Sequence, residues 1–215
     1  MPEVKRTYGG VSAEERSAGR RARLLAATIA VLASEGESRT TMTAICAHAG
    51  LTERYFYESF ASRDEAVLAA LDAVAVEIAA VAVQAIQDRG GAPTERVRAA
   101  LKAIVSLVAD QPDKGRVALV ESTATPELRA RRHALMGSFA ELVAHEAKAL
   151  YGELAWPDAR ARVHGLVYAA GVTELVGSWV LGDVDLDQAA LVDAATDLFV
   201  AVARQPQPSH PRRTS

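Results

Sequence analysis

Five side chains able to make polar contacts, Thr52, Glu53, Arg54, Tyr55 and Tyr57, crowd into residues 52–57. Arginine offers a planar fork that pairs with guanine O6 and N7 in the DNA major groove, worth about 1–3 kcal/mol of base discrimination. Arg54 is therefore the candidate base reader. Glu53 is suited either to accept from cytosine N4 or to tune repulsion from phosphate. Tyr55 is open to two readings, a reader beside Arg54 or a half-buried structural ring. Thr52 stands where a helix should begin, so its hydroxyl and the nearby backbone N–H groups suit a phosphate oxygen. Thr41 has the same relation to the preceding helix, and the Tyr57 hydroxyl can reach the DNA backbone from the groove edge. Two short helices joined by a tight turn at Ala49-Gly50-Leu51 would place these groups together, which is the build of a helix-turn-helix.

Other chemistries find little support. His133, His145 and His164 fall in separate predicted helices without metal-ligand spacing. The chain has no phosphate-binding glycine loop and no nucleophile-elbow motif. No catalytic residue, metal or cofactor is predicted. Cys46 is the only cysteine, and its place on an apolar stripe reads as a buried structural thiol. A single thiol suits a reducing compartment. No consecutive apolar run reaches the ~18 residues that span a bilayer, and the opening MPEVKRTYGG lacks a signal-peptide core. The expected location is the cytoplasm, with no membrane partner.

The elements that must position these groups are helical throughout. Half of the 215 residues are apolar, enough for a large core without disulfides. Apolar residues recur at helical rather than alternating spacing. Ser12-Ala13-Glu14-Glu15 is a capping box that opens a helix running to about Ser34. Met42, Ile45, Cys46 and Ala49 form the buried stripe of a second helix. Thr52 is expected to cap a third, with Phe56 and Phe60 inward. Ser62-Arg63-Asp64-Glu65 is a second capping box and opens a long fourth helix that Gly90-Gly91 stops. Further starts are read at Thr94, Asp113, Thr125-Pro126-Glu127 and Trp156-Pro157-Asp158, and the last at Asp185-Leu186-Asp187-Gln188. The expected fold is all-α with about nine helices. Residues 1–11 are expected to form a flexible arm, 12–62 a helix-turn-helix domain, 63–204 a helical ligand-binding and dimerisation domain, and 205–215 a disordered tail. The net charge is −3, yet residues 1–24 carry Lys5, Arg6, Arg16, Arg20, Arg21 and Arg23 against three glutamates. These cations are suited to phosphate or an adjacent minor groove, or form a solvated charge with no defined contact.

The motifs around the turn resemble the TetR-type (tetracycline-repressor) family of bacterial transcription regulators. The resemblance rests on Thr40-Thr41, Ile45, Ala49-Gly50-Leu51-Thr52, Tyr57, Phe60 and Ser62-Arg63-Asp64-Glu65, with a weaker likeness from Ala170 to Leu175 and on to Trp179, Gly182 and Asp185. It implies an N-terminal three-helix DNA-binding domain and a C-terminal domain that binds a small ligand and dimerises through the last two helices. It also implies a phosphate contact at Arg63, where the family carries lysine. Arg54 and Tyr55 replace the Gly-Thr common at the reading helix, so the operator sequence does not carry over.

In the C-terminal part an apolar cavity between helices is the expected effector site. Glu121, His145, Tyr168 and Glu174 are its candidate polar residues. Tyr168, Val172, Leu175 and Trp179 share one face of their helix, and Leu166, Ala169, Ala170, Thr173, Val176, Gly177 and Val180 the broad opposite side. One face is expected to line the interior and the other to meet a partner subunit. The expected function is a homodimeric regulator, a repressor of a palindromic operator released by a small hydrophobic or amphipathic effector. The competing reading is an all-helical enzyme or scaffold without sequence-specific DNA binding.

Overall fold

The computed structural model describes residues 12–203, and the proposed arm and tail lie outside them. Nine α-helices follow one another among the described residues: α1 (Ala13–Glu35), α2 (Met42–Ala49), α3 (Glu53–Ser59), α4 (Arg63–Asp88), α5 (Pro93–Asp110), α6 (Pro112–Leu119), α7 (Pro126–Tyr151), α8 (Asp158–Leu181) and α9 (Gln188–Ala203). Short 3-10 turns occupy Glu37–Arg39, Glu121–Thr123 and Gly152–Leu154. The all-α fold expected from periodicity is the one observed.

Local signals set most boundaries. Ser12 Oγ accepts from Glu15 N–H at 3.0 Å and the Glu15 carboxylate accepts from Ser12 N–H at 2.6 Å, completing the box. Thr41 Oγ1 accepts from Ala44 N–H at 3.1 Å and Thr125 Oγ1 from Leu128 N–H at 3.2 Å. The box at α4 closes one residue early: Glu65 N–H donates to Ser62 Oγ, but the Glu65 carboxylate accepts from Ala61 N–H at 2.6 Å. Thr52 departs from expectation. It occupies the cap position of α3, but its side chain makes no capping bond. Gly50 adopts φ +60°, the left-handed conformation that glycine takes at least cost, and so turns the chain between α2 and α3.

The chain divides into two compact units, residues up to Ala70 and residues from Leu71. The division falls inside α4 because its first turns pack with the first unit: Ala66 joins Leu24, Ile45, Phe56 and Phe60 in one core cluster. In the second unit, α7 and α8 pack against each other, and α9 packs on α5 and α8. Its core gathers Trp156, Tyr168, Leu191 and Phe199. Trp156 Nε1–H donates to the Val202 carbonyl, and Trp179 Nε1–H to that of Leu186 at 2.8 Å. By length and composition α4 could cross a membrane, the one such helix among the described residues. Its apolar run is broken by Asp72 and Glu77, which are tied to Arg131 of α7 and Lys114 of α6. Those ion pairs and its buried stripe fit a core helix.

Candidate DNA interface and ligand cavity

The reading helix is amphipathic over only seven residues. Phe56 and Phe60 are fully buried, their ring centroids 5.7 Å apart. The other side leaves Thr52, Glu53, Arg54 and Tyr57 exposed. Arg54 stands 84% exposed, its Nε 3.0 Å from Glu58 one turn on. That exposed pair contributes little to stability and leaves the guanidinium free to exchange partners. Tyr55 is half-buried beneath the Arg20 guanidinium, which lies 4.5 Å from the ring centroid and 3.5 Å from Glu58. Of its two readings, the geometry favours a brace between α1 and α3.

The α1 arginines do more bracing than their charge alone suggested. Arg23 Nη2–H donates to the Ala49 carbonyl at 2.6 Å, closing the C-terminus of α2, and the Arg21 guanidinium lies over the Phe60 ring at 4.5 Å. Lys5 and Arg6 lie outside the described residues. Cys46 is buried with Sγ 3.9 Å from Met42 Sδ. Burial, with Glu53 nearby, pushes its thiol above the usual range and keeps it protonated.

Thr41 is exposed at the N-terminus of α2, on a hollow lined also by Glu37, Thr40, Met42 and Arg63. Arg63 is largely committed. Its Nε–H donates to the Thr40 carbonyl at 2.7 Å, Nη1 contacts Glu37 Oε1 at 2.5 Å and Asp64 Oδ1 at 2.7 Å, and Nη2–H donates to the Glu37 carbonyl. Four contacts on a five-donor group make it a pin between α4 and the turn that precedes α2. Desolvation opposes the charged form, but hydrogen bonds and charge from Asp64 and Glu37 outweigh it and raise the guanidinium pKa. Arg63→Ala is expected to cost about 2 kcal/mol of stability, a buried-pair loss discounted for partial exposure. It should also weaken DNA binding while leaving the salt slope unchanged. A slope lower by about one unit would mean that Arg63 itself neutralises a phosphate. Thermal unfolding and binding isotherms across salt concentrations measure both.

The second unit holds a cavity of about 150 Å³ walled by α4, α5, α6, α7 and α8. Its lining is apolar apart from Arg132, Tyr168 and Thr173. The Tyr168 hydroxyl donates to the Ala195 carbonyl at 3.0 Å, and Thr173 Oγ1–H to the Ala169 carbonyl at 2.8 Å. Burial pushes the Tyr168 phenol far above its usual range, so it stays neutral. Of the four polar candidates only Tyr168 meets the cavity. Glu121 is buried 3.3 Å from Arg116 and outside the lining, and His145 and Glu174 are exposed. Arg132, absent from those candidates, lines the cavity instead. Its only sequence signal is an arginine pair, Arg131-Arg132, which says nothing about which member turns inward.

The expected division of α8 also needs correction. Its buried residues, Gly165, Tyr168, Ala169 and Val176, draw on both predicted faces, because α7 and α9 both pack against it. The exposed side is a narrower stripe of Val163, Leu166, Val167, Ala170, Gly171, Glu174 and Leu181, and α9 adds Leu198. Among the described residues no cluster of three His, Cys, Asp or Glu could hold a metal ion.

One unit thus carries a short braced helix with an exposed polar face, and the other an apolar cavity. Residues 24–70 match the family model for bacterial regulatory proteins, tetR family. No curated relative matches the sequence. Among solved structures, the fatty acid degradation regulator FadR from Bacillus halodurans is similar at 15% identity, over 89% of this chain and 97% of that one, with a TM-score of 0.70. FadR from Bacillus subtilis, solved in complex with stearoyl-CoA, is 18% identical over 84% of this chain and 97% of its own, TM-score 0.70. A TetR-like transcriptional regulator from Rhodococcus sp. RHA1 is 21% identical over 84% and 93%, TM-score 0.63. At these identities the likeness is one of fold. The family match is confined to the N-terminal helices, residues 24–70, and the rest of the chain shares its fold with these TetR-type regulators.

Proposed function

We propose that the protein is a cytoplasmic homodimeric repressor, released from a palindromic operator by a small amphipathic effector. The observation that carries the DNA half is the exposed face of α3, with Thr52, Glu53, Arg54 and Tyr57 on a helix held rigid from behind by Phe56, Phe60 and the α1 arginines. Arg54 reads bases with Glu53 beside it. Thr41, Thr52 and Tyr57 contact phosphate, Tyr55 supports the helix, and Arg63 acts by fixing the segment that carries Thr41. The apolar stripe on α8 and α9 supports dimerisation through the last two helices, with Glu174 on that seam. Two copies would set their reading helices about 34 Å apart, one DNA turn.

The cavity is the effector site. Leu71, Ala75 and Ile78 of its wall lie on α4, the helix that starts at Arg63. An effector pressing on that wall shifts α4 and with it the spacing of the reading helices. A coupling of about 1–3 kcal/mol gives roughly 5–150-fold induction. One similar structure holds stearoyl-CoA, but a chain of that length would need a larger space than about 150 Å³.

Mobility shift on the DNA flanking its own gene tests the reading. Arg54→Ala is expected to cost about 1–3 kcal/mol at each half-site, about 30-fold or more for the dimer, and to relax preference at the base it reads. Unchanged sequence preference would remove Arg54 from the readout. An absence of specific binding to any flanking fragment would favour the scaffold reading.

A further inference from the structure

We propose that the effector is a compact aromatic acid carrying a single carboxylate, and that Arg132 is its anchor. The inference rests on reading the cavity as the effector site and adds the chemistry of the ligand. Arg131 and Arg132 are neighbours on α7, yet they meet different surroundings. Arg131 is taken outside the cavity by Asp72, Nε to Oδ1 at 2.5 Å and Nη2 to Oδ2 at 2.8 Å, a two-point pair. Arg132 lines the cavity, and its Nε is buried with no hydrogen-bond partner among the described residues. Among the described residues, no acidic side chain belongs to the lining. Tyr168 and Thr173, the other polar groups of the wall, already donate to backbone carbonyls.

An Nε–H left unsatisfied against apolar walls is costly, and a buried polar group without a partner calls for one. The planar guanidinium fork matches a carboxylate in two parallel charge-assisted bonds. One cation in an otherwise apolar wall balances one negative charge, which disfavours a phosphate dianion or a nucleotide-bearing thioester. Volume sets the size of the body. A cavity of about 150 Å³ is on the scale of an engineered apolar cavity in another protein that takes benzene. A single aromatic ring with small substituents fits that space better than a long acyl chain.

Calorimetry and thermal shift on the full-length protein test this with benzoate, 4-isopropylbenzoate, octanoate and stearoyl-CoA, beside the neutral benzamide and 4-isopropylbenzamide. The ring acids are expected to bind about 100-fold tighter than their amides, the scale of losing one partner of a buried charge pair. Arg132→Met should erase that preference, and Arg132→Lys should keep part of it. Without ligand, Arg132→Met should unfold at a higher temperature than the native protein, because it removes the unsatisfied buried group; a merely structural arginine would give a lower one. Should the methionine variant not fold, the lysine variant and the acid–amide comparison still decide. The proposal is overturned if amides bind as tightly as acids, if Arg132→Met keeps the preference, or if no ring acid binds at millimolar concentration. Binding confined to octanoate or stearoyl-CoA overturns it as well. Neutral ligands that release DNA would leave the regulator reading intact and remove the carboxylate. Arg132-dependent acid binding without specific DNA binding would do the reverse.

Discussion

On the dimeric reading proposed above, Val167→Glu is expected to give monomers and to weaken operator binding. Val167 is 68% exposed in the single chain, and Val163, Leu166 and Leu181 lie with it on the uncovered side of α8. In the proposed dimer a second copy of the same apolar stripe would meet it about a two-fold axis. Symmetry places two new carboxylates in one seam, and like charges in an interface cost several kcal/mol. A loss of about 4 kcal/mol raises the dimer dissociation constant roughly a thousandfold. DNA affinity then falls by a further factor, on the order of 100 or more, because a monomer engages one half-site without the other's effective concentration. Sedimentation velocity reads the first effect and mobility shift the second. Val76→Glu on α4, at a position equally exposed at 67%, serves as the control and should remain dimeric. A dimer that survives at Val167 but not at Val76 would move the seam away from α8 and α9.

Gly165→Leu carries the second large effect, and it needs no partner subunit. A Cβ at residue 165 would overlap the carbonyl oxygen of Ala140 and sit 3.1 Å from its carbonyl carbon. The obstacle is backbone, so no side chain can rotate out of the way, and α7 and α8 must separate. Both helices wall the cavity. Overpacking of this kind costs about 3 kcal/mol or more, which for a chain of this size lowers the unfolding midpoint by roughly 6–12 °C. The proposed effector should lose affinity in the same variant, because the lining residues on α7 and α8, Arg132 and Tyr168 among them, would move apart. Gly19→Ala is the comparison: nothing lies within 4 Å of the added Cβ, and alanine in a helix is expected to stabilise by up to about 1 kcal/mol. Equal midpoints for the two variants would mean that the α7–α8 approach is looser than its geometry implies.

Much of the first unit was legible in the chain alone, for a local reason. The capping box at Ser12, the cap at Thr41 and the turn at Gly50 each depend on residues within about one helical turn. Phe56 and Phe60 are four apart and so must share the inner face of a short helix. Tyr57 and Arg54 then fall outward by geometry. Thr52 was misjudged as a side-chain cap because hydroxyl residues at that position have a choice. Phe56 N–H and Tyr55 N–H take the Thr52 carbonyl, while the hydroxyl is left over.

The contacts of Arg63 were not legible. Its partners, Thr40 and Glu37, lie more than twenty residues away in the chain, and a family likeness described a lysine that contacts DNA. The four polar candidates for the cavity failed in the same way. Helical phase tells which residues share a face, but not which face a neighbouring helix covers. With α7 and α9 both on α8, most of its circumference is occupied, and Glu174 falls on the side that is not.

By itself, then, the sequence determined the order and limits of the helices, the turn, and the exposed face of α3, since these follow from hydrogen bonds and periodicity within a few residues. Tertiary structure decided which of two adjacent arginines meets a carboxylate and which meets an apolar cavity. It also decided that Gly165, rather than Gly171 or Gly177, is where two helices touch. Such choices turn on about 100° of rotation per residue around a helix, and that angle acquires meaning only when another helix packs against it.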